Sequence, residues 1–242
     1  MRVLVLGAGA IGGYFGARLI EAGHDVSFLV RPATAQRLRR DGLRVQSPNG
    51  DFACPVDAIV RLLDGAPCDL ALLSCKAYDL DSAVAAIAPA IGPDTRVLPL
   101  LNGLRHLDVL DLAFGRERVG LAHISVTLAD DGTVRQLGKL DRLTFGVRGP
   151  DARLETLAQE LLTLRVELRR RHDILAAMWE KFVFIATLAG MTCLMRGSVG
   201  DVSTYAEALF LERDVMHGAL SLIPVTEDHA HHVHNQGPAH AH

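Results

Sequence analysis

The residues Gly7-Ala8-Gly9-Ala10-Ile11-Gly12 have the spacing G-x-G-x-x-G. Where such a run joins a strand to a helix, the first glycine permits a tight turn. The second lets the backbone approach a pyrophosphate, and the third lets helix and strand pack closely. The helix start then offers unpaired N–H groups and the positive end of its dipole to the phosphates. The same residues could form no more than a tight strand-to-helix turn. The setting favours dinucleotide binding: an apolar strand at 3–6 precedes the run, Ile11, Phe15 and Leu19 follow at helical spacing, and a second strand is expected at 25–30.

Four further polar residues occupy positions where they could do chemistry. Arg31 ends the second strand, where an NAD site carries an acid for the ribose 2′-hydroxyl. A guanidinium pairs with a 2′-phosphate and has no partner in plain NAD, so the expected cofactor is NADP or NADPH. Without the glycine run, Arg31 would read as a solvated loop residue. Lys76 and Asn102 each end an apolar strand, "LLSCK" and "LPLLN", and open α/β sheets bind ligands at the carboxyl ends of their strands. A single lysine after a strand is more often solvated; two polar residues at equivalent strand ends beside a dinucleotide motif read as cofactor residues. Lys181 lies in "LAAMWEKFVFIATLAGMTCLM", a segment apolar over most of its helical surface. Desolvation lowers a lysine pKa toward neutrality and suits it to general acid work. Spacing alone also leaves open an exposed lysine on an amphipathic helix.

The elements that must position these residues alternate. Helices are expected near 34–40 and over 80–91, a strand pair around 43–56, and buried strands at 69–75 and 96–101. Near-continuous apolar strands separated by amphipathic helices indicate a parallel sheet covered on both faces. Asp131-Gly132 marks a hairpin turn between alternating strands, so the sheet is expected to end in antiparallel strands. A helix over 152–164 and the basic strand "VELRRR" precede a long helical segment from Asp173. The fold class is therefore α/β, an N-terminal Rossmann-type doubly wound sheet followed by a smaller all-helical domain. The expected domains are a dinucleotide-binding domain at 1–170, a helical substrate or dimerisation domain at 171–225, and a disordered tail at 226–242. That tail, "TEDHAHHVHNQGPAHAH", holds six of the 11 histidines and has no apolar period.

Composition narrows the partners. Twenty-five basic and 28 acidic residues give a net charge of −3, which recommends neither nucleic acid nor a membrane surface. Cys54, Cys68, Cys75 and Cys193 have no metal-ligand spacing and fit a reducing, cytoplasmic compartment. The glycines interrupt the first apolar run and argue against a signal peptide. The apolar stretch 182–195 is shorter than the roughly 20 residues of a bilayer span and is expected to be a buried helix. No metal site is expected: the tail histidines suit only adventitious metal affinity, and His106 and His123 are given no role.

"GAGAIGGYFGARL", the "LVR" ending at Arg31, "SCKAYD", "LLNGL" and "MWEKFVFIATLAGMTCL", in this order, resemble the ketopantoate reductase (2-dehydropantoate 2-reductase) family over 1–201. The resemblance implies NADPH-dependent reduction of a small 2-oxo acid to a 2-hydroxy acid, with ketopantoate to pantoate, on the route to coenzyme A, as the namesake reaction. It implies that Lys181 is the proton donor, that Asn102 holds substrate and nicotinamide, and that Arg31 and Lys76 lie near the 2′-phosphate. Two departures accompany it. The substrate-contacting positions four and eight residues after the lysine, often asparagine in the family, are Ile185 and Ala189, which suit a less polar oxo acid. The family's helical domain also continues further, to a serine and a glutamate with no equivalent here, so a shortened domain is expected. Its exposed apolar surface would call for cover, as in a homodimer. Two other readings remain: a dinucleotide-binding relative without turnover, and a dehydrogenase of related architecture acting on another oxo acid or an imine.

Overall fold

The computed structural model describes residues 1–62, 67–115, 119–146, 148 and 153–204; the expected tail at 226–242 lies outside them. The chain divides into two compact units, Met1–Trp179 and Glu180–His242.

The first unit begins as β1 (Arg2–Leu6), α1 (Ala10–Glu21) and β2 (Asp25–Leu29). Gly23, at φ +85°, stops α1: its N–H donates to the Ile20 carbonyl and that of His24 to the Leu19 carbonyl, at 2.9 and 3.0 Å. These two bonds satisfy carbonyls that a helix end otherwise leaves orphaned. Next come α2 (Pro32–Asp41), β3 (Leu43–Gln46), β4 (Phe52–Cys54), β5 (Asp57–Ile59) and β6 (Leu70–Leu73). α3 (Leu80–Ile87), β7 (Arg96–Pro99) and α4 (His106–Phe114) complete this half. α3 is shorter than the 80–91 expected, because Pro89 sits in a 3-10 turn at Ala88–Ala90 and a proline in the helix interior would remove a ladder bond.

The first sheet has the order β5-β2-β1-β6-β7, every pair parallel. Its strands are apolar throughout because both faces are covered. Val3, Val5, Phe28, Leu70 and Leu72 point to one core with α1's Tyr14, Phe15 and Leu19. Leu4, Leu29, Ala71 and Leu73 point to the other, with Leu80 and Ile87 of α3 and Leu110 of α4.

The antiparallel hairpin does not end that sheet, contrary to expectation. β8 (Val119–Leu128) and β9 (Val134–Gly146) join β10 (Glu167–Arg171), β3 and β4 in a second sheet of order β10-β9-β3-β4, with β8 paired to β9. The reason lies in α1, which packs between the sheets. A Cβ on Gly16 would meet the Phe28 ring of the first sheet at 2.4 Å, and one on Gly13 would meet Val134 of the second at 2.8 Å. Gly13 and Gly16, three residues apart and so adjacent on one face of the helix, leave room there for a side chain from each sheet. α5 (Arg153–Leu161) adds Leu157 and Leu161 to the same core.

A buried polar cluster ties α1 to the second sheet. The Tyr14 hydroxyl donates to Asp141 at 2.9 Å, and Asn49 donates to the same carboxylate at 2.6 Å. The Arg18 guanidinium, 1% exposed, donates to Glu21, to the Ser47 hydroxyl and to the Gly50 carbonyl at 2.8, 3.0 and 3.1 Å. It also lies over the Tyr14 ring. Such charges are stable inside only when paired in this way.

α6 (Ile174–Met195) crosses the division between the units. Its first turns, through Ile174, Ala177 and Met178, pack with Leu107 in the first unit. The expected buried helix at 182–195 is instead largely exposed: Val183 is 58% and Phe184 66% accessible. Among the described residues of the second unit there is only the rest of α6 and a helical stretch at 199–204, too little to make the second layer that an apolar helix needs for burial. At 22 residues α6 is long and apolar enough to cross a membrane by length and composition, although its first turns are core and it carries Glu180 and Lys181.

Candidate functional site

Strand register brings the expected cofactor residues of the first unit to one edge. Leu6 lies opposite Leu29 on one side and Leu73 on the other, and Leu73 lies opposite Pro99. Pairing continues one residue further: Gly7 N–H donates to Leu29 O at 3.0 Å, Ser74 N–H to Leu6 O at 3.1 Å and Leu100 N–H to Leu73 O at 2.8 Å. The chain leaves β1 toward β2 through α1, while β6 flanks β1 on the other side. The carboxyl ends of β1 and β6 therefore border a topological switch point, where open α/β sheets bind ligands.

The glycine run occupies that edge, and each glycine has a different constraint. Gly7 is at φ +92°, a conformation disfavoured for residues with a Cβ. A Cβ on Gly12 would lie 2.2 Å from both the Gly7 carbonyl oxygen and the Ser74 hydroxyl, so glycine is what lets α1 sit against the strand end. Gly9 is the N-cap of α1, in extended backbone and without a side-chain cap. A Cβ there would meet nothing within 4 Å. No acid lies in α1's first turn to compete for its N–H groups. Ala8 is buried, whereas Ala10 and Ile11 are partly exposed. An open backbone at a helix N-terminus fits the diphosphate of a dinucleotide.

Arg31 is the N-cap residue of α2, with its side chain 79% exposed. Its Nη2 donates to the Asp79 carboxylate at 2.7 Å. Lys76 and Asn102 do not directly end their strands: each stands three residues beyond, since β6 ends at Leu73 and β7 at Pro99. The equal offset keeps them at equivalent levels of the sheet edge, and both are exposed. Lys76 also leads a 3-10 turn, its carbonyl accepting the Asp79 N–H at 2.9 Å.

Lys181, Ile185 and Ala189 belong to the second unit, spaced by four on α6 and thus on one helix face. Lys181 and Ile185 are half-buried and Ala189 is exposed. Burial depresses the Lys181 ammonium to about 8, because desolvation disfavours the charged form. Such a group is mostly protonated at neutral pH and can give up its proton far more readily than an ordinary lysine. Among the described residues no group of three or more His, Cys, Asp or Glu side chains is placed to hold a metal ion.

Two residues at the edge went unread in the sequence. Ser74 donates through its hydroxyl to the Leu6 and Gly7 carbonyls at 2.9 and 3.3 Å, bracing the turn of the glycine run. Its signal was a polar residue directly after the run "LALL". Asp79 was visible only as a capping-type residue before the helix at Leu80.

The family model described as ketopantoate reductase PanE/ApbA matches residues 3–150. The uncharacterized oxidoreductase YkpB of Bacillus subtilis is 33% identical over 206 residues, 84% of this chain and 68% of the relative. A 2-dehydropantoate 2-reductase of Nostoc is 26% identical over 232 residues, 90% of this chain and 72% of that one. The crystal structure of 2-dehydropantoate 2-reductase from Geobacter metallireducens superposes with a TM-score of 0.75 at 32% identity, covering 89% of this chain and 70% of the other. With a glycine cradle at a switch point, a cation after the second strand and these relatives, the chain belongs to the ketopantoate reductase PanE/ApbA family.

Proposed function

We propose that this protein reduces a small 2-oxo acid to the 2-hydroxy acid with NADPH. The observation that carries the reading is the open backbone at Gly9 on the sheet edge that also holds Arg31. When bound, the nicotinamide supplies the hydride. In this reading the first N–H groups of α1 bind the diphosphate, and Arg31 and Lys76 meet the 2′-phosphate, for which a guanidinium fork is well matched. Asn102 donates and accepts hydrogen bonds to orient substrate and nicotinamide. Lys181 Nζ gives its proton to the carbonyl oxygen, and its lowered pKa, about 8, supports this role because general acids work best when their pKa lies near the operating pH. Ile185 and Ala189 then line the substrate side with apolar surface and favour an oxo acid less polar than ketopantoate.

A steady-state assay of the purified chain, following NADPH oxidation over a panel of 2-oxo acids that includes ketopantoate and branched apolar analogues, tests the proposal. Turnover is expected, faster with the apolar members. NADPH binding without oxidation in any reaction would instead mark a dinucleotide-binding relative without turnover.

A further inference from the structure

We propose that Asp79 tunes the choice between phosphorylated and plain dinucleotide, holding Arg31 in the free protein and yielding it to the 2′-phosphate on binding. This rests on the reading of Arg31 as the 2′-phosphate ligand. Asp79 is the N-cap residue of α3, a position from which an aspartate ordinarily accepts a hydrogen bond from the helix's second or third N–H. It makes no such cap. Its Oδ2 accepts from Arg31 Nη2 at 2.7 Å instead, across 48 positions of sequence. The guanidinium is otherwise open, with the Arg31 side chain 79% exposed against 31% for Asp79.

A phosphate drawn to that guanidinium meets a carboxylate already in place. The two anions repel at such range, and the Nη2 N–H that points at Asp79 is withdrawn from the phosphate. Exchange of partners is nonetheless easy. An exposed ion pair is weak, and the released carboxylate, itself partly exposed, is taken up by water. The backbone needs no movement for this: the Asp79 N–H stays on the Lys76 carbonyl at 2.9 Å, and the Asp79 carbonyl stays on the Ser82 hydroxyl at 2.8 Å. A dinucleotide without the 2′-phosphate leaves the Arg31–Asp79 pair undisturbed. Asp79 therefore opposes NADPH and not NADH, and narrows the difference between them.

Binding of NADPH, NADH and 2′,5′-ADP, measured by calorimetry on wild type, Asp79→Asn and Asp79→Ser, tests the exchange. Asparagine removes the charge at nearly the same size; serine removes the charge and is too short for Arg31. Both variants are expected to bind NADPH and 2′,5′-ADP about three- to tenfold more tightly, with the NADH affinity moving less than about twofold and the gain shrinking at high salt. Weaker NADPH binding, or an equal shift for NADPH and NADH, would overturn the role of Asp79. Arg31→Ala separates this from the reading beneath it. If that variant keeps the wild-type ratio of NADPH to NADH affinity, Arg31 is not the 2′-phosphate ligand. If it lowers the ratio while the Asp79 variants fail to raise it, only the exchange is refuted. In the double variant Arg31→Ala/Asp79→Asn, the gain from Asp79→Asn should vanish.

Discussion

Gly9 and Gly12 lie three residues apart in one turn, yet alanine at each should fail in a different way. At Gly12 the new Cβ would stand 2.2 Å from the Gly7 carbonyl oxygen and from Ser74 Oγ, where real Cβ contacts do not fall below 3.0 Å. The hydroxyl can swing aside only by giving up its bonds to Leu6 and Gly7, and the carbonyl is held by backbone. α1 must therefore retreat from β1 by ~1 Å, an overpacking that costs about 1–3 kcal/mol. In a chain of this size that lowers Tm by about 2–12 °C. At Gly9 the backbone is φ −75°, ψ −165°, open to any residue, and the Cβ meets nothing within 4 Å. The chain-entropy gain of alanine and its weakness as an N-cap roughly cancel, leaving stability within about 1 kcal/mol of wild type. The methyl instead occupies the space a diphosphate must enter. Loss of one charge-assisted hydrogen bond, about 1.5–3 kcal/mol, weakens cofactor binding by about 10- to 100-fold. Thermal scans without ligand and fluorescence titration with NADPH read the two effects separately. Wild-type NADPH binding by Gly9→Ala, or a wild-type melting temperature for Gly12→Ala, would contradict these separate roles.

Two further outcomes follow from buried groups. Lys181→Ala should lower kcat by about 10²–10⁴-fold while NADPH affinity is retained, and in wild type the rate should fall above pH 8 as the ammonium, at about 8, loses its proton; a profile flat to pH 10 would exclude Lys181 as donor. The same shift acts on stability. The unfolded lysine, with a pKa of about 10.4, binds more protons than the folded one between about 8 and 10.4. The burial penalty is thus complete below pH 8 and is relieved as pH rises through that window. Lys181→Met should be more resistant to urea than wild type at pH 7 and lose that advantage by about pH 10.5. Tyr14→Phe, which deletes the donor to Asp141 inside a fully buried site, should cost about 1.5–3 kcal/mol in urea denaturation with cofactor affinity little changed; a cost under 0.5 kcal/mol would show that Asp141 is satisfied without it.

Much of the parallel sheet was legible because its signals are local. Val3, Leu4 and Val5 face alternate cores, so the apolar run ahead of the glycine turn reads as a strand covered on both sides. Gly7, Gly9, Gly12 and Gly23 marked the turn and the helix end through backbone demands that neighbours along the chain impose. Arg31 was equally visible, since a strand's end is read from the strand itself. The second sheet was not. Its strands carry their own turn signal at Asp131-Gly132, but whether a hairpin extends a sheet or starts another depends on what packs beneath it. Here that is α1, where Gly13 and Gly16 leave room for a side chain from each sheet.

The sequence by itself determined the strand and helix order of the first half, the glycine turn after β1 and the cation after β2, because these follow from periodicity and from the backbone freedom of single residues. Tertiary structure alone decided which polar groups meet. Arg31 finds Asp79 across 48 residues, and Tyr14 finds Asp141 across 127. It also left the apolar residues of α6 from Phe182 to Phe184 exposed, where composition had pointed to burial. Burial and ion pairing are properties of what the rest of the chain brings within a few ångströms, and no local pattern of residue types encodes that distance.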